Sequence, residues 1–169
     1  MDTTWKKIIW QQFGASIDML ENAIVACPEK LWSDRSQPPE YWYIAYHTLF
    51  WLDYYSSKSP VGFAPPAPYT LDEMDPAGLI PERPYRQEEL LRYLEYGRGK
   101  CRAAIESLTD ESVRKHCGFE RREATVAELV LYNMRHVQHH AAQLNLILRQ
   151  KIDSAPRWVS KAKVTLSGD

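Results

Sequence analysis

Cysteine is scarce in this 169-residue chain: Cys27, Cys101 and Cys117 are odd in number and form no close pair. They cannot make a disulfide framework and suit a reducing compartment, so the cytoplasm is the expected address. Basic runs are equally thin, none richer than Trp5-Lys6-Lys7 or Glu120-Arg121-Arg122, and 21 Lys+Arg against 22 Asp+Glu leave a net charge of −1. Neither nucleic acid nor an anionic membrane surface finds the electrostatic footprint it needs. No apolar run approaches the roughly 18 residues of a membrane span, and the aromatic stretch from Tyr41 is itself broken by His47, Asp53 and Ser56. An acid at position 2 and the interruption at Gln11-Gln12 are not the pattern of a signal peptide. The chain also lacks a G-x-S-x-G turn and a glycine-rich phosphate loop, the local machinery of serine-hydrolase and nucleotide chemistry.

What is present is enough apolar material, 44% of residues, to bury a core in one domain spanning residues 1–169. Trp5, Ile8, Ile9, Phe13, Ile17, Leu20 and Ile24 fall at three- and four-residue spacing and predict a helix from Thr4 to about Ala26 with one buried stripe. Pro28 closes it, and a polar turn leads to Pro38-Pro39, where proline suits a first helical turn. A second helix is expected from about Pro39 to Ser57. It is aromatic almost all round (Tyr41, Trp42, Tyr43, Tyr46, Phe50, Trp51, Tyr54, Tyr55), which implies burial on more than one side, or a pocket and a homodimer contact on the second face.

Between Lys58 and Tyr85 stand seven of the eleven prolines, a density no helical period survives. So long a connection in a small domain serves as a lid or a strap. A third helix is read from Arg86 to about Leu108, with Gly97 and Gly99 marking a close helix contact or a kink. Thr125-Val-Ala-Glu128 reads as a capping box that opens a fourth helix reaching about Lys151. In the tail beyond it, Trp158 is the one aromatic anchor. No strand pattern emerges, so the fold class is all-α, a four-helix bundle with one long connection between helices 2 and 3.

Three of the five histidines, His136, His139 and His140, crowd into the fourth helix. At about 100° per residue His136 and His140 share a sector with Asn133 and Gln143, while His139 sits toward its flank. An i, i+4 pair can offer two imidazole nitrogens to one metal ion. His47, flanked by Tyr43, Trp51 and Tyr54, is the inward-looking candidate for a third, and three ligands plus an open position compose a catalytic metal site. Other readings stay open on the residues alone: His47 as a hydrogen-bonded core histidine, the pair as a surface or interface feature, and His116-Cys117 as a rival ligand pair.

The segments Trp42-Tyr-Ile-Ala-Tyr-His47 and Arg135-His136-Val-Gln-His-His140-Ala-Ala-Gln143-Leu resemble those of the DinB-like superfamily, also called DinB/YfiT-like metalloenzymes, whose second pattern is H-x-x-x-H-x-x-Q. The resemblance extends over most of the chain in helix order. It implies an up-down-down-up four-helix bundle and a divalent metal, commonly zinc or nickel, on His47, His136 and His140. This chain has Ala141-Ala142 where many members have Arg-Gly, and Tyr132 where many have a histidine; neither changes the ligand count. Superfamily members include metal-dependent hydrolases, thiol-dependent S-transferases and maleylpyruvate isomerase.

The resulting expectation is an enzyme whose metal activates water or a low-molecular-weight thiol toward a small-molecule substrate. Tyr43, Trp51 and Tyr54 would line the pocket, and Asn133 and Gln143 would orient ligands or water. No Asp or Glu occupies an obvious general-base position, since Asp53 projects about 120° away from His47. That weakens a peptidase-like hydrolase, and attack by a metal-bound thiolate needs no such base, so hydrolase and thiol-dependent S-transferase both stand. The alternative is a non-catalytic helical module, metal-binding or metal-free, that dimerises through its aromatic helix.

Overall fold

A computed structural model describes residues 3–36, 38–57, 59–119 and 123–166. The acid at position 2, Lys58, the Arg121-Arg122 pair and residues 167–169 lie outside the described residues. Four long helices are present: α1 (Thr3–Ala26), α3 (Tyr41–Tyr55), α4 (Gln87–Glu106) and α5 (Val126–Ile152), with α2 (Glu29–Trp32) a single turn. The apolar pattern gave no hint of α2, which starts directly after Pro28, the residue expected only to end α1. No strand occurs among the described residues, only a bridge between His116 and Thr125.

The four long helices pack in a ring, α1 against α4 and α5, and α3 against α4 and α5. Their directions follow from side-chain partners. Lys6 donates to the Glu106 carbonyl and Gln87 to that of Ile24, so α1 and α4 run antiparallel. Asn133 reaches the Leu52 carbonyl while His140 meets His47, so α3 and α5 are antiparallel. Tyr85, just before α4, packs on Trp42, and Lys100 pairs with Asp53, so α3 and α4 run parallel. The bundle is therefore up-down-down-up, and a parallel step between neighbours requires the chain to travel back along the bundle, which explains the long connection.

That connection is a strap. Tyr69 stacks on Tyr93 with ring centroids 4.0 Å apart, Tyr85 lies 4.9 Å from Tyr46, and Phe63 lies 5.6 Å from Phe50. The second aromatic face of α3 is thus covered by the chain's own connection. Where α4 crosses α3, a Cβ on Gly97 would lie 3.2 Å from a Leu52 methyl, a close helix contact; Gly99 faces open space. Thr125 caps α5 through the expected box with Glu128.

Two readings of the termini are corrected. Trp5 and Ile8, placed in the buried stripe of the first helix, are exposed, and Trp10 is buried instead. Trp158 does not anchor the tail, being 70% exposed. The tail is held by backbone groups: Trp10 Nε1 donates to the Val164 carbonyl at 2.6 Å, and Lys163 N–H donates to Asp18 at 2.7 Å. A Cβ on Gly14 would lie 2.5 Å from that of Ala162, so glycine is what lets the tail lie against α1.

Candidate metal centre

The site is built from the middles of two antiparallel helices. His47 projects from α3, His136 and His140 from successive turns of α5, and one candidate ligand atom from each lies within 4.8 Å of the others. His136 Nε2 is 3.3 Å from His47 Nε2 and 3.1 Å from His140 Nε2. Two nitrogens bound to one ion at about 2.05 Å and at the tetrahedral angle lie about 3.3 Å apart. The observed spacing is that of ligands around a common centre. His139 is outside the cluster, its ring turned onto His140 with centroids 5.0 Å apart.

Hydrogen bonds on the far sides of the rings set the tautomers. His47 Nδ1 donates to Glu73 Oε1, and His140 Nδ1 donates to Gln143 Oε1 at 2.6 Å. Both rings therefore turn Nε2, the nitrogen not engaged by an outer partner, toward the centre. His136 Nε2 faces both of them, so three ring nitrogens crowd one point. A cation is what such a donor set fits. Burial, with the neighbouring His47 and His139 rings adding to it, pushes the His140 imidazolium down to about 4 against the opposing effect of Gln143. His140 is therefore neutral, the form a ligand needs, throughout the physiological range.

Glu73 was not singled out by sequence reasoning, which saw no carboxylate near the histidines. It enters from the strap, on a short 3-10 turn (Asp72–Met74), with its side chain 6% exposed. Tyr43 Oη and Trp51 Nε1 each donate to Glu73 Oε1 at 3.4 Å, while Oε2 is buried with no partner among the described residues. Burial and then the Glu73 charge push the Tyr43 phenol up to about 12, so it remains a donor. Glu73 sits in an irregular stretch of proline, tyrosine and leucine with no periodic pattern. Only the length of the connection hinted that it had work at a site.

The other predicted residues divide. Tyr43, Trp51 and Gln143 meet the histidines or the groups that hold them. Tyr54 does not: its ring packs on Phe63 and Phe119 at 5.0 and 4.9 Å. Asn133 is turned into the core, its amide directed at the Leu52 carbonyl and Ser56 Oγ, a bond between helices. Asp53 is fully buried against Lys100 and Tyr93, away from His47 as its angular position required. His116 accepts from the Gly118 N–H and takes no part in the cluster. Cys101 is buried, which pushes its thiol up to about 12 and leaves it inert.

A sequence model of the DinB superfamily matches residues 12–144, which include every histidine of the cluster. No curated protein and no solved structure matches the chain significantly.

Proposed function

The chain belongs to the DinB superfamily, and from that premise we propose that it is a metal-dependent enzyme in which His47, His136 and His140 hold a divalent ion, zinc or nickel, for reaction of a small molecule with water or a low-molecular-weight thiol. The observation that carries this reading is the meeting of three Nε2 atoms from two helices, two of them with Nδ1 already engaged. Three imidazoles leave a tetrahedral ion one open position, the composition of a catalytic rather than a structural site. Such an ion, when bound, supplies Lewis acidity, which lowers the pKa of water or a thiol and polarises an electrophile.

The chain's own residues supply orientation. Glu73 holds the His47 ring from behind, Tyr43 and Trp51 brace Glu73 under an aromatic cover, and Gln143 holds His140. His47 keeps 28% of its side chain exposed, so the centre is not sealed from solvent. Glu73 reaches the edge of the imidazole opposite Nε2, so it acts through that ring and not on the reacting group. The cluster itself contains no carboxylate. Thiol attack, which needs less help from a separate base, therefore suits the site better than hydrolysis.

No helix among the described residues is long and apolar enough to cross a membrane. The three buried free thiols fit a cytoplasmic address. Homodimer formation belongs to the same reading. The strap covers part of the aromatic helix, so the contact proposed for it is the exposed Trp5 and Ile8 of α1.

Elemental analysis of protein purified without a nickel column tests the centre: about one divalent ion per chain is expected. Less than a few tenths, with no uptake of added zinc or nickel, rejects it. Cobalt substitution then separates enzyme from module, since an open position makes the spectrum respond to thiols and azide, whereas a closed structural ion ignores both.

A further inference from the structure

A cleft of about 660 Å³ lies between α1, α5 and the C-terminal segment, a volume that suits a small organic ligand. His136 lines it and also belongs to the histidine cluster, so cleft and cluster share a side chain. Arg135 and His139 lie on the same wall, one turn apart on the outer face of α5. Opposite them the C-terminal segment contributes Trp158.

Two features give this cleft a chemical preference. No aspartate or glutamate lines it, and Arg135 makes no ion pair among the described residues. In a chain of net charge −1, an unopposed guanidinium with an imidazole beside it attracts an anion. The second feature is the indole. The segment is pinned to α1 through Ala162, Lys163 and Val164, yet Trp158 is left 70% exposed at the rim. A flat apolar surface facing the same cleft as a cationic group suits a planar molecule carrying one negative charge.

We infer that this cleft binds a small organic acid, its carboxylate paired with Arg135 and the His139 N–H and its flat apolar body against Trp158. The inference rests on the reading of the histidine cluster as a reaction centre and names the substrate class for it. Arg135 and Trp158 are binding residues in this assignment, and His136 is where the bound acid meets the centre.

Phenylacetate is the probe, with phenylacetamide as its uncharged counterpart and inorganic phosphate as an anion without an apolar body. Binding to the full chain, chelator-treated, is followed by titration of the indole N–H resonances, with Trp158 identified through Trp158→Phe. Phenylacetate is expected to move the Trp158 resonance with saturation, and the amide to bind at least ten-fold more weakly. Arg135→Gln should cost phenylacetate at least ten-fold, and phosphate should leave the resonance unmoved. An Arg135→Gln variant that binds as the parent does, an amide as good as the acid, a phosphate that competes equally, or an unmoved Trp158 signal overturns the assignment. Because the titration uses metal-free protein, acid binding without metal uptake would sink the metal centre alone. Metal uptake without acid binding would sink the cleft alone.

Discussion

Replacing Glu73 by glutamine separates a group that serves the metal from one that serves the fold. The carboxylate accepts from His47 Nδ1 and is braced by Tyr43 and Trp51 at 3.4 Å, while its second oxygen is buried with no partner among the described residues. Glutamine has the same shape and keeps a carbonyl for His47, so ring orientation survives, but the negative charge that raises the basicity of the imidazole is gone. Losing such an outer partner costs metal affinity about 10- to 100-fold, or about 1.4 to 2.7 kcal/mol. The metal-free fold should respond differently. A buried carboxylate with one unpaired oxygen is a desolvation burden, and its removal leaves the apo melting temperature equal or raised. The assay is zinc competition against a chromophoric chelator at about neutral pH, run beside thermal melts of chelator-treated protein. An affinity within two-fold of the parent refutes the link from Glu73 through His47. A loss of affinity matched by an equal loss of apo stability makes Glu73 a structural residue only.

Further outcomes rest on the same geometry. His140→Ala should abolish metal retention while His139→Ala largely keeps it, as read by elemental analysis; the reverse would move the centre to the other helical flank. Zinc at about 100 times its dissociation constant should stabilise the fold by about 2.7 kcal/mol, or roughly 5–11 °C in Tm for a chain of this size, and excess chelator should remove that gain. Arg83→Gln should lower stability modestly at neutral pH, because Arg83 holds Glu89 through bonds of 2.9 and 2.7 Å and is the main reason its carboxyl falls to about 2. A depressed folded pKa stabilises above the unfolded value, so in denaturant melts the gap between variant and parent should close as pH falls from about 4.5 toward 2. Light scattering should report a dimer that the double change Trp5→Ser, Ile8→Ser turns into a monomer; a monomeric parent refutes self-association.

The bundle was legible because helix periodicity is local. The apolar spacing of α1, the proline density of the connection and the capping box at Thr125 each act within a few residues. The pairing of His47 with His136 and His140 was within reach for a related reason: each histidine sits on a face whose direction the helix fixes, and only the meeting of the faces had to be supposed. The failures are contacts that no periodicity encodes. Trp5 and Trp10 stand on one helix, and which is buried depends on where the tail crosses α1. Asn133 shares the histidine sector on a helical wheel, but a 100° step does not say whether an amide turns toward a neighbour's carbonyl or toward the site.

A centre that draws on an irregular segment is only as rigid as that segment, and Glu73 is the case in point. His47 and His136 are placed by helices that the core holds, with Leu49, Leu52, Val137 and Leu144 fully buried around them. Glu73 is placed by the strap, whose nearest ties to the bundle are Tyr69 stacked on Tyr93, Tyr46 Oη donating to the Thr70 carbonyl, and the Tyr69 hydroxyl donating to the Glu89 carbonyl. Any opening of the strap withdraws the carboxylate from His47 and weakens the ligand. By reciprocity, an ion that gains about 10- to 100-fold from the closed strap must hold the strap closed by the same factor. Amide exchange across residues 69–75 should therefore slow on zinc binding by up to that ratio, and should lose this response in Glu73→Gln while α1 and α4 exchange as before. Equal protection with and without zinc would place the strap outside the metal equilibrium and reduce it to a cover for the aromatic face of α3.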